Sequence, residues 1–356
     1  MKTLNQEQKT LLKEGTVIPA IPLALTEERH FDEKRQRRLA RYYVSTGTGG
    51  MAVAVHSTQF EIRDPEINLF ETVIRVVAEE IDKAAIDRPF VKVAGICGPT
   101  SQAIQEAELA LKYGYDMGLL SMGGLQGWTE EEILKRTREI AKIIPLFGFY
   151  LQPSVGGRIF SYDFWSKFAE IENVEAIKAA PFNRYQTFDV MRAVSNSSRR
   201  DEIAMYTGND DNIVGDLLAT YRFTVDGKPY EKSFVGGMLG HWAVWTKKAV
   251  DLLEEIKAFK VDKTVEKYED LQKRGIEITD TNAALFDPAN HFHGCIPGIH
   301  EVLRRQGLLE GRWCLNPNEE LSPGQMEEID RVYREYPHLN DDEFVKAFLE
   351  KEGELS

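Results

Sequence analysis

The chain has 356 residues, with 57 acidic against 44 basic side chains and a net charge of −13. That balance argues against a sequence-independent grip on a phosphate backbone, which needs clustered lysine and arginine, so no nucleic-acid partner is expected. With 42% hydrophobic and 28% charged residues and no long uninterrupted apolar run, the composition is that of an ordinary globular protein without a membrane partner.

The opening "MKTLNQEQKTLLKEG" lacks the apolar stretch of a signal peptide. Cys97, Cys295 and Cys314 are too few and too scattered for a disulfide framework, so a reducing cytoplasm is expected. Basic runs at "EKRQRR" (33–38) and "SSRR" (197–200) fall in helix-like segments and read as solvated faces.

Eight short runs rich in β-branched and aromatic residues follow one another: "TVIPAIP" (16–22), "GMAVAVH" (50–56), "FVKVAGI" (90–96), "YDMGLLS" (115–121), "PLFGFYL" (145–151), "VEAIKAA" (174–180), "EIAMYTG" (202–208) and "FVGGMLG" (234–240). Between most of them lie segments with helical spacing, such as 31–47, 68–84, 100–114 and 129–144. Strand alternating with helix eight times predicts a (β/α)8 TIM barrel, an α/β fold. Thr129 before Glu130, Glu131 and Glu132, and Thr100–Ser101 after Pro99, mark helix starts. No G-x-G-x-x-G follows the first run, which weighs against a doubly wound open sheet.

Two regions exceed a plain barrel. "YRFTVDGKPYEKS" (221–233), with Asp226–Gly227 between alternating runs, predicts a β-hairpin inserted before the eighth strand, at the N-terminal rim, as a structural feature or a subunit contact. After the eighth run come five helical segments. The expected division is a barrel over 1–246 and a helical extension over 247–356, packed on the barrel's flank or over part of its mouth.

Lys178 is the lone lysine in the sixth run. Strand alternation puts it on one face with Ala176 and Ala180, and Glu175 on the other. Inside a barrel its amine would be desolvated, which lowers its pKa and favours attack on a carbonyl. Tyr150, ending the fifth run, is placed to pass protons. Ser57 and Thr58, ending the second, form a helix cap or hold a carboxylate.

These motifs together resemble the dihydrodipicolinate synthase and N-acetylneuraminate lyase family of class I aldolases and dehydratases, over about residues 14 to 250. The family's G-I-K-E appears as "AIKA" with Lys178, its Y-N-V-P as "YLQP" with Tyr150 and Pro153, its G-T-T-G-E as "HSTQFE" with Ser57 and Thr58, and its S-G-D-D as "TGNDD" (207–211). The resemblance implies a Schiff-base lyase with no cofactor and no metal, acting on pyruvate or a longer 2-oxo acid, as a homodimer or homotetramer. Lys178 would form the imine, Tyr150 would shuttle protons, and the Ser57 and Thr58 region would hold the carboxylate. From their own positions, His56 at the end of the second run and Arg184 after the sixth are candidate substrate contacts, with a helix-start role the other reading of Arg184, and Asn209 of "TGNDD" is a third candidate.

The chain departs from the synthase branch in two places. "LLSMGGLQGW" offers no tyrosine pair after the fourth run, and Val155 stands where that branch has an arginine, with Arg158 displaced by Gly156–Gly157. Two rival readings come from other classes. One is a metal-dependent hydrolase using His291, His293 and Cys295 of "NHFHGC", although this stretch lacks a strand pattern and a carboxylate; capping or lid contacts are the plainer role. The other is a 2-oxo acid binding protein without turnover, against which stand a retained nucleophile and a retained proton carrier.

Overall fold

The computed structural model describes residues 2–354. In chain order its elements are α1 (Gln6–Glu14), α2 (Glu33–Ser45), β1 (Gly50–Val53), α3 (Phe70–Lys83), β2 (Val91–Ile96), α4 (Thr100–Lys112), β3 (Met117–Leu120), α5 (Glu130–Ala141), β4 (Leu146–Leu151), α6 (Tyr162–Ala169), β5 (Val174–Ala180), α7 (Arg184–Asn196) and β6 (Ala204–Thr207). Then come α8 (Ile213–Leu218), the hairpin strands β7 (Thr220–Val225) and β8 (Lys228–Ser233), β9 (Gly236–Gly237), and α9 (Thr246–Val261), α10 (Val265–Phe286), α11 (Cys295–Arg305), α12 (Gln325–Glu335) and α13 (Asp342–Glu354). This is a (β/α)8 barrel with a C-terminal helical region, as the alternation predicts. Two compact units partition it: Met1–Thr16 with Pro89–Met238, and Val17–Arg88 with Leu239–Ser356. The boundary expected at 246/247 falls inside the second unit, where α9 begins.

In the first unit the strands run parallel in the order β2-β3-β4-β5-β6-β9. Their register sorts side chains onto two faces. Phe147, Ala176 and Ala204 stand level, and two residues on so do Phe149, Lys178 and Tyr206. Phe147 and Tyr206 meet edge to face with centroids 5.2 Å apart. The opposite face, with Gly148, Tyr150, Ile177 and Ala179, carries the helices: a Cβ on Gly148 would lie 2.6 Å from the Phe168 ring of α6. Pairing passes from Leu146↔Val174 directly to Phe147↔Ala176, so Glu175 is a bulged residue, and its carboxylate lies 3.1 Å from Lys9 Nζ of α1.

The hairpin forms as expected. Asp226 and Gly227 take φ values of 52° and 74°, the two left-handed positions of a tight hairpin turn. Lys232 Nζ donates to the Ile203 carbonyl at 2.7 Å, which anchors the hairpin at the N-terminal end of β6. Thr129 heads α5 in a complete capping box with Glu132, whereas α4 starts at Thr100 without a side-chain cap. The run at 197–200 is spent locally: Arg199 donates to the Val174 carbonyl and pairs with Glu202.

In the second unit the first expected strand, residues 16–22, is reduced to a parallel bridge between Ala20 and Ala52. Pro19 and Pro22 each remove a ladder donor, which is why a longer strand does not form. The eighth expected strand also shortens, to the two residues of β9 in the first unit; a Cβ on Gly236 would lie 2.4 Å from the Thr16 carbonyl oxygen. The basic run of α2 is ion-paired, Arg37 with Glu33, Glu79 and Glu80, and Arg41 with Glu80 and Glu352. All five expected C-terminal helices form. No helix among the described residues is long and apolar enough to cross a membrane.

Asp341 ties this unit together. Buried to 3% exposure, it accepts from Tyr42 Oη at 2.7 Å, from the Lys247 N–H of α9 at 3.1 Å, and from Gln306 Nε2 at 2.8 Å. Asp341→Ala leaves the buried Tyr42 hydroxyl and the half-buried Lys247 N–H without this acceptor, while Gln306 keeps Asp342 at 2.8 Å, and should cost about 1–3 kcal/mol. A denaturant melt reads this, and an unchanged midpoint would show that Asp341 is not a structural anchor.

Candidate functional site

The site is built on the C-terminal half of β5. Of that strand's seven residues only Lys178 keeps partial exposure; the others are buried. Its Nζ lies 4.4 Å from the centroid of Phe149, its partner on β4. On the β6 side room is made by a glycine: a Cβ on Gly208 would lie 2.6 Å from Lys178 Cε and 2.8 Å from Ala180 Cβ. Burial drives the lysine pKa down from its ordinary value to about 8, against the opposing pull of the Asp210 carboxylate. Glu175, the one carboxylate on the strand, is engaged by Lys9 and does not neutralise the amine. Lys178 is thus a desolvated amine on the face opposite the one that Phe168 of α6 covers.

Tyr150 departs from expectation. It stands level with Ala179, one residue out of phase with Lys178, and so belongs to the opposite face. Its ring packs against Trp165 and Phe160 at 4.9 and 6.1 Å, and its hydroxyl accepts from the Phe160 N–H at 3.5 Å. Burial raises its pKa, which further disfavours proton release. The ring facing the lysine is Phe149. Tyr206, level with Lys178 on β6, is no substitute: its hydroxyl donates to the Leu12 carbonyl of α1 at 3.1 Å and burial raises its pKa.

Asn209 and Arg184, expected to touch substrate, are engaged with Asp216, a fully buried carboxylate of α8. Asn209 Nδ2 donates to Asp216 at 2.9 Å and to Thr187 at 3.2 Å, and its Oδ1 accepts from the Phe182 N–H at 3.0 Å. Arg184 pairs with Asp216, and Thr207 Oγ1 donates to it at 2.7 Å. This network fixes the loop after β6, the loop that carries Gly208 and Asp210. Arg158 donates to the Trp128 carbonyl at 2.6 Å and is likewise committed.

His56, Ser57 and Thr58 belong to the second unit, in a short 3-10 turn after β1. Ser57 Oγ donates to the Ala20 carbonyl at 2.9 Å and Thr58 Oγ1 to that of Ile21 at 2.7 Å. Both hydroxyl protons are therefore given to backbone carbonyls before β1, and Thr58 Oγ1 also accepts from the Val55 N–H at 3.2 Å. The following Gln59 keeps a φ of 68°, a glycine-like conformation, and its Oε1 accepts from the Leu315 N–H at 2.6 Å. The His56 ring lies 6.0 Å from that of Phe60.

His291 and Phe292 take left-handed φ values of 55° and 65° in the turn before α11, and Cys295 is buried. Among the described residues no group of three or more His, Cys, Asp or Glu side chains is placed to hold a metal ion.

Phe149 is the residue that sequence reasoning did not single out; Gly208 and Asp210 lie in the "TGNDD" stretch, of which only Asn209 was given a contact. Strand alternation yields faces within one strand but not the register between strands, which is what selects Phe149 over Tyr150.

No family model matches the chain, and no curated protein matches it. Solved structures do. A dihydrodipicolinate synthase from Oceanobacillus iheyensis aligns with a TM-score of 0.74 and 18% identity over 93% of this chain and 99% of its own. N-acetylneuraminate lyase from Fusobacterium nucleatum complexed with pyruvate gives 0.70 and 16% over 92% and 99%, and that from Mycoplasma synoviae gives 0.69 and 17% over 91% and 98%. The expected resemblance to these proteins is found in the fold.

Gly208→Ala should force the new methyl against the lysine chain and destabilise by about 1–3 kcal/mol. Combined with Lys178→Ala it should cost at least about 0.5 kcal/mol less than the sum of the two single changes, because the shortened chain relieves the overlap. Additive values in denaturant melts would contradict this contact.

Proposed function

We propose that the protein is a Schiff-base-forming lyase, an aldolase or dehydratase, whose substrate is pyruvate or a longer 2-oxo acid of sugar-acid type. The observation that carries the reading is the Lys178 amine: partly accessible, set among buried residues, with its pKa lowered to about 8. At neutral pH about a tenth of such an amine is unprotonated, against well under a hundredth for an ordinary lysine. The fold shared with dihydrodipicolinate synthases and N-acetylneuraminate lyases, one of them solved with pyruvate, supports the same chemistry.

The free amine attacks the ketone carbon, and loss of water leaves a protonated imine. The face of Phe149, 4.4 Å from Nζ, is positioned to stabilise that cation, and the Asp210 carboxylate favours it further. Electrons from a breaking carbon–carbon bond, as the hydroxyl of the departing aldehyde gives its proton to solvent, or from a carbon–hydrogen bond before water leaves, flow into the imine and give an enamine. Return of a proton to the enamine, directly after cleavage or after hydroxide has left in dehydration, restores the protonated imine, and hydrolysis releases the product and the amine. Tyr150 supports this site from the helix side as packing, and its hydroxyl is not assigned the proton transfer.

Borohydride reduction in the presence of pyruvate, followed by peptide mass spectrometry, should add a reduced pyruvyl group to Lys178 and nowhere else. Lys178→Ala should abolish both adduct and turnover on a panel of 2-oxo sugar acids; an adduct-free wild type, or an active mutant, removes the assignment. Tyr150→Phe should leave trapping intact and turnover within about threefold. A loss of a hundredfold or more would restore the tyrosine to the chemistry.

A further inference from the structure

The inner face of the first unit carries a further polar side chain at the level of the amine. Leu119 of β3 pairs with Gly95 of β2 and with Phe147 of β4, so it belongs to the row of Phe147 and Ala176. Two residues on, Ser121 falls in the row of Phe149 and Lys178. The ladder continues that far, since the Ser121 N–H donates to the Ile96 carbonyl at 2.9 Å. The residues between face the helix side, where a Cβ on Gly118 would meet Ile96 and Ile144. Across β3, β4 and β5 the row therefore reads Ser121, Phe149, Lys178.

The Ser121 hydroxyl is held in place but its proton is not spent. The residue is 7% exposed, and its Oγ accepts from the Gly123 N–H at 3.3 Å. Its own hydrogen finds no acceptor among the described residues. The neighbouring hydroxyls differ: Tyr206 donates to the Leu12 carbonyl, Thr207 donates to Asp216, and Tyr150 lies on the helix side. A buried donor left open costs stability, and a ligand oxygen that accepts from it recovers that cost.

Charge decides which ligand oxygen this is. On the β6 side of the amine stands the Asp210 carboxylate, near enough to oppose the effect of burial on Lys178, so a second carboxylate is repelled from that side. On the other side the amine lies over the Phe149 face, 4.4 Å from its centroid, and beyond that ring in the row comes Ser121. Strands two places apart are separated by about 10 Å, a span that a bent lysine chain and a three-carbon acid bridge. We propose that the Ser121 hydroxyl donates to the carboxylate of the 2-oxo acid while the ketone carbon meets Lys178, which makes Ser121 the residue that selects acids over plain ketones and fixes the direction in which they bind. This contact rests on the imine reading of the same site.

Borohydride labelling of Lys178 over a range of pyruvate and of acetone concentrations tests it, because both ketones form imines with a free amine and only pyruvate carries the carboxylate. Ser121→Ala should raise the pyruvate concentration for half-maximal labelling, relative to that of acetone, about tenfold or more. Ser121→Thr, which keeps the hydroxyl, should hold that ratio within about threefold of the wild type. The proposal is overturned by an unchanged ratio in Ser121→Ala, by an equal loss of labelling with both ketones, or by a ratio as disturbed in Ser121→Thr as in Ser121→Ala. A wild type that pyruvate does not label removes the imine reading and this contact with it, whereas a labelled wild type with an unmoved ratio in Ser121→Ala removes the serine contact alone.

Discussion

The interaction on which the candidate site depends is the parallel register that sets Phe149, Lys178 and Tyr206 level across β4, β5 and β6. A slip of β5 by one residue would turn Lys178 to the helix side, level with Gly148 or Tyr150 of β4. Two local features hold the register. The bulge at Glu175 re-phases β5 against β4, and the Lys9–Glu175 pair gives the displaced carboxylate a partner away from the amine. Gly148, pressed by the Phe168 ring of α6, admits no side chain on the helix side.

Desolvation then does the chemical work. An ammonium among buried groups loses hydration, and the cost appears as a lower pKa instead of an unfolded protein. Asp210 moderates the shift, because its carboxylate favours the protonated amine. The Phe149 face offers a cation some return while leaving a neutral amine free to react. The Asp216 network below the loop after β6 keeps Gly208 and Asp210 where this balance requires them.

Much of this is legible in the sequence, for physical reasons. Alternating runs and amphipathic segments carry the barrel and the five C-terminal helices, since burial of one face dictates both periods. Asp226–Gly227 carries the hairpin turn because two left-handed residues in a row suit few other pairs. Lys178 stands out because a charge in an apolar run must be either partnered or used. The functions of Tyr150, Asn209, Arg184, Ser57 and Thr58 were less legible. Motif spacing places these residues near strand ends, but their hydrogen bonds are made to Phe160, Asp216, Ala20 and Ile21, groups outside the motifs themselves. The shortened first and last strands follow from prolines and glycines that a hydrophobic pattern overlooks.

The central claim is that the Lys178 amine gives up its proton far more readily than a solvated lysine. Nuclear magnetic resonance of the protein labelled with ¹³C at the lysine Cε, with the signal assigned through Lys178→Arg, follows that one amine through a pH titration. A midpoint near 8 is the outcome the structure requires. A midpoint of about 10 or above, like that of an exposed lysine, would mean that the amine is hydrated or ion-paired and contradicts the account.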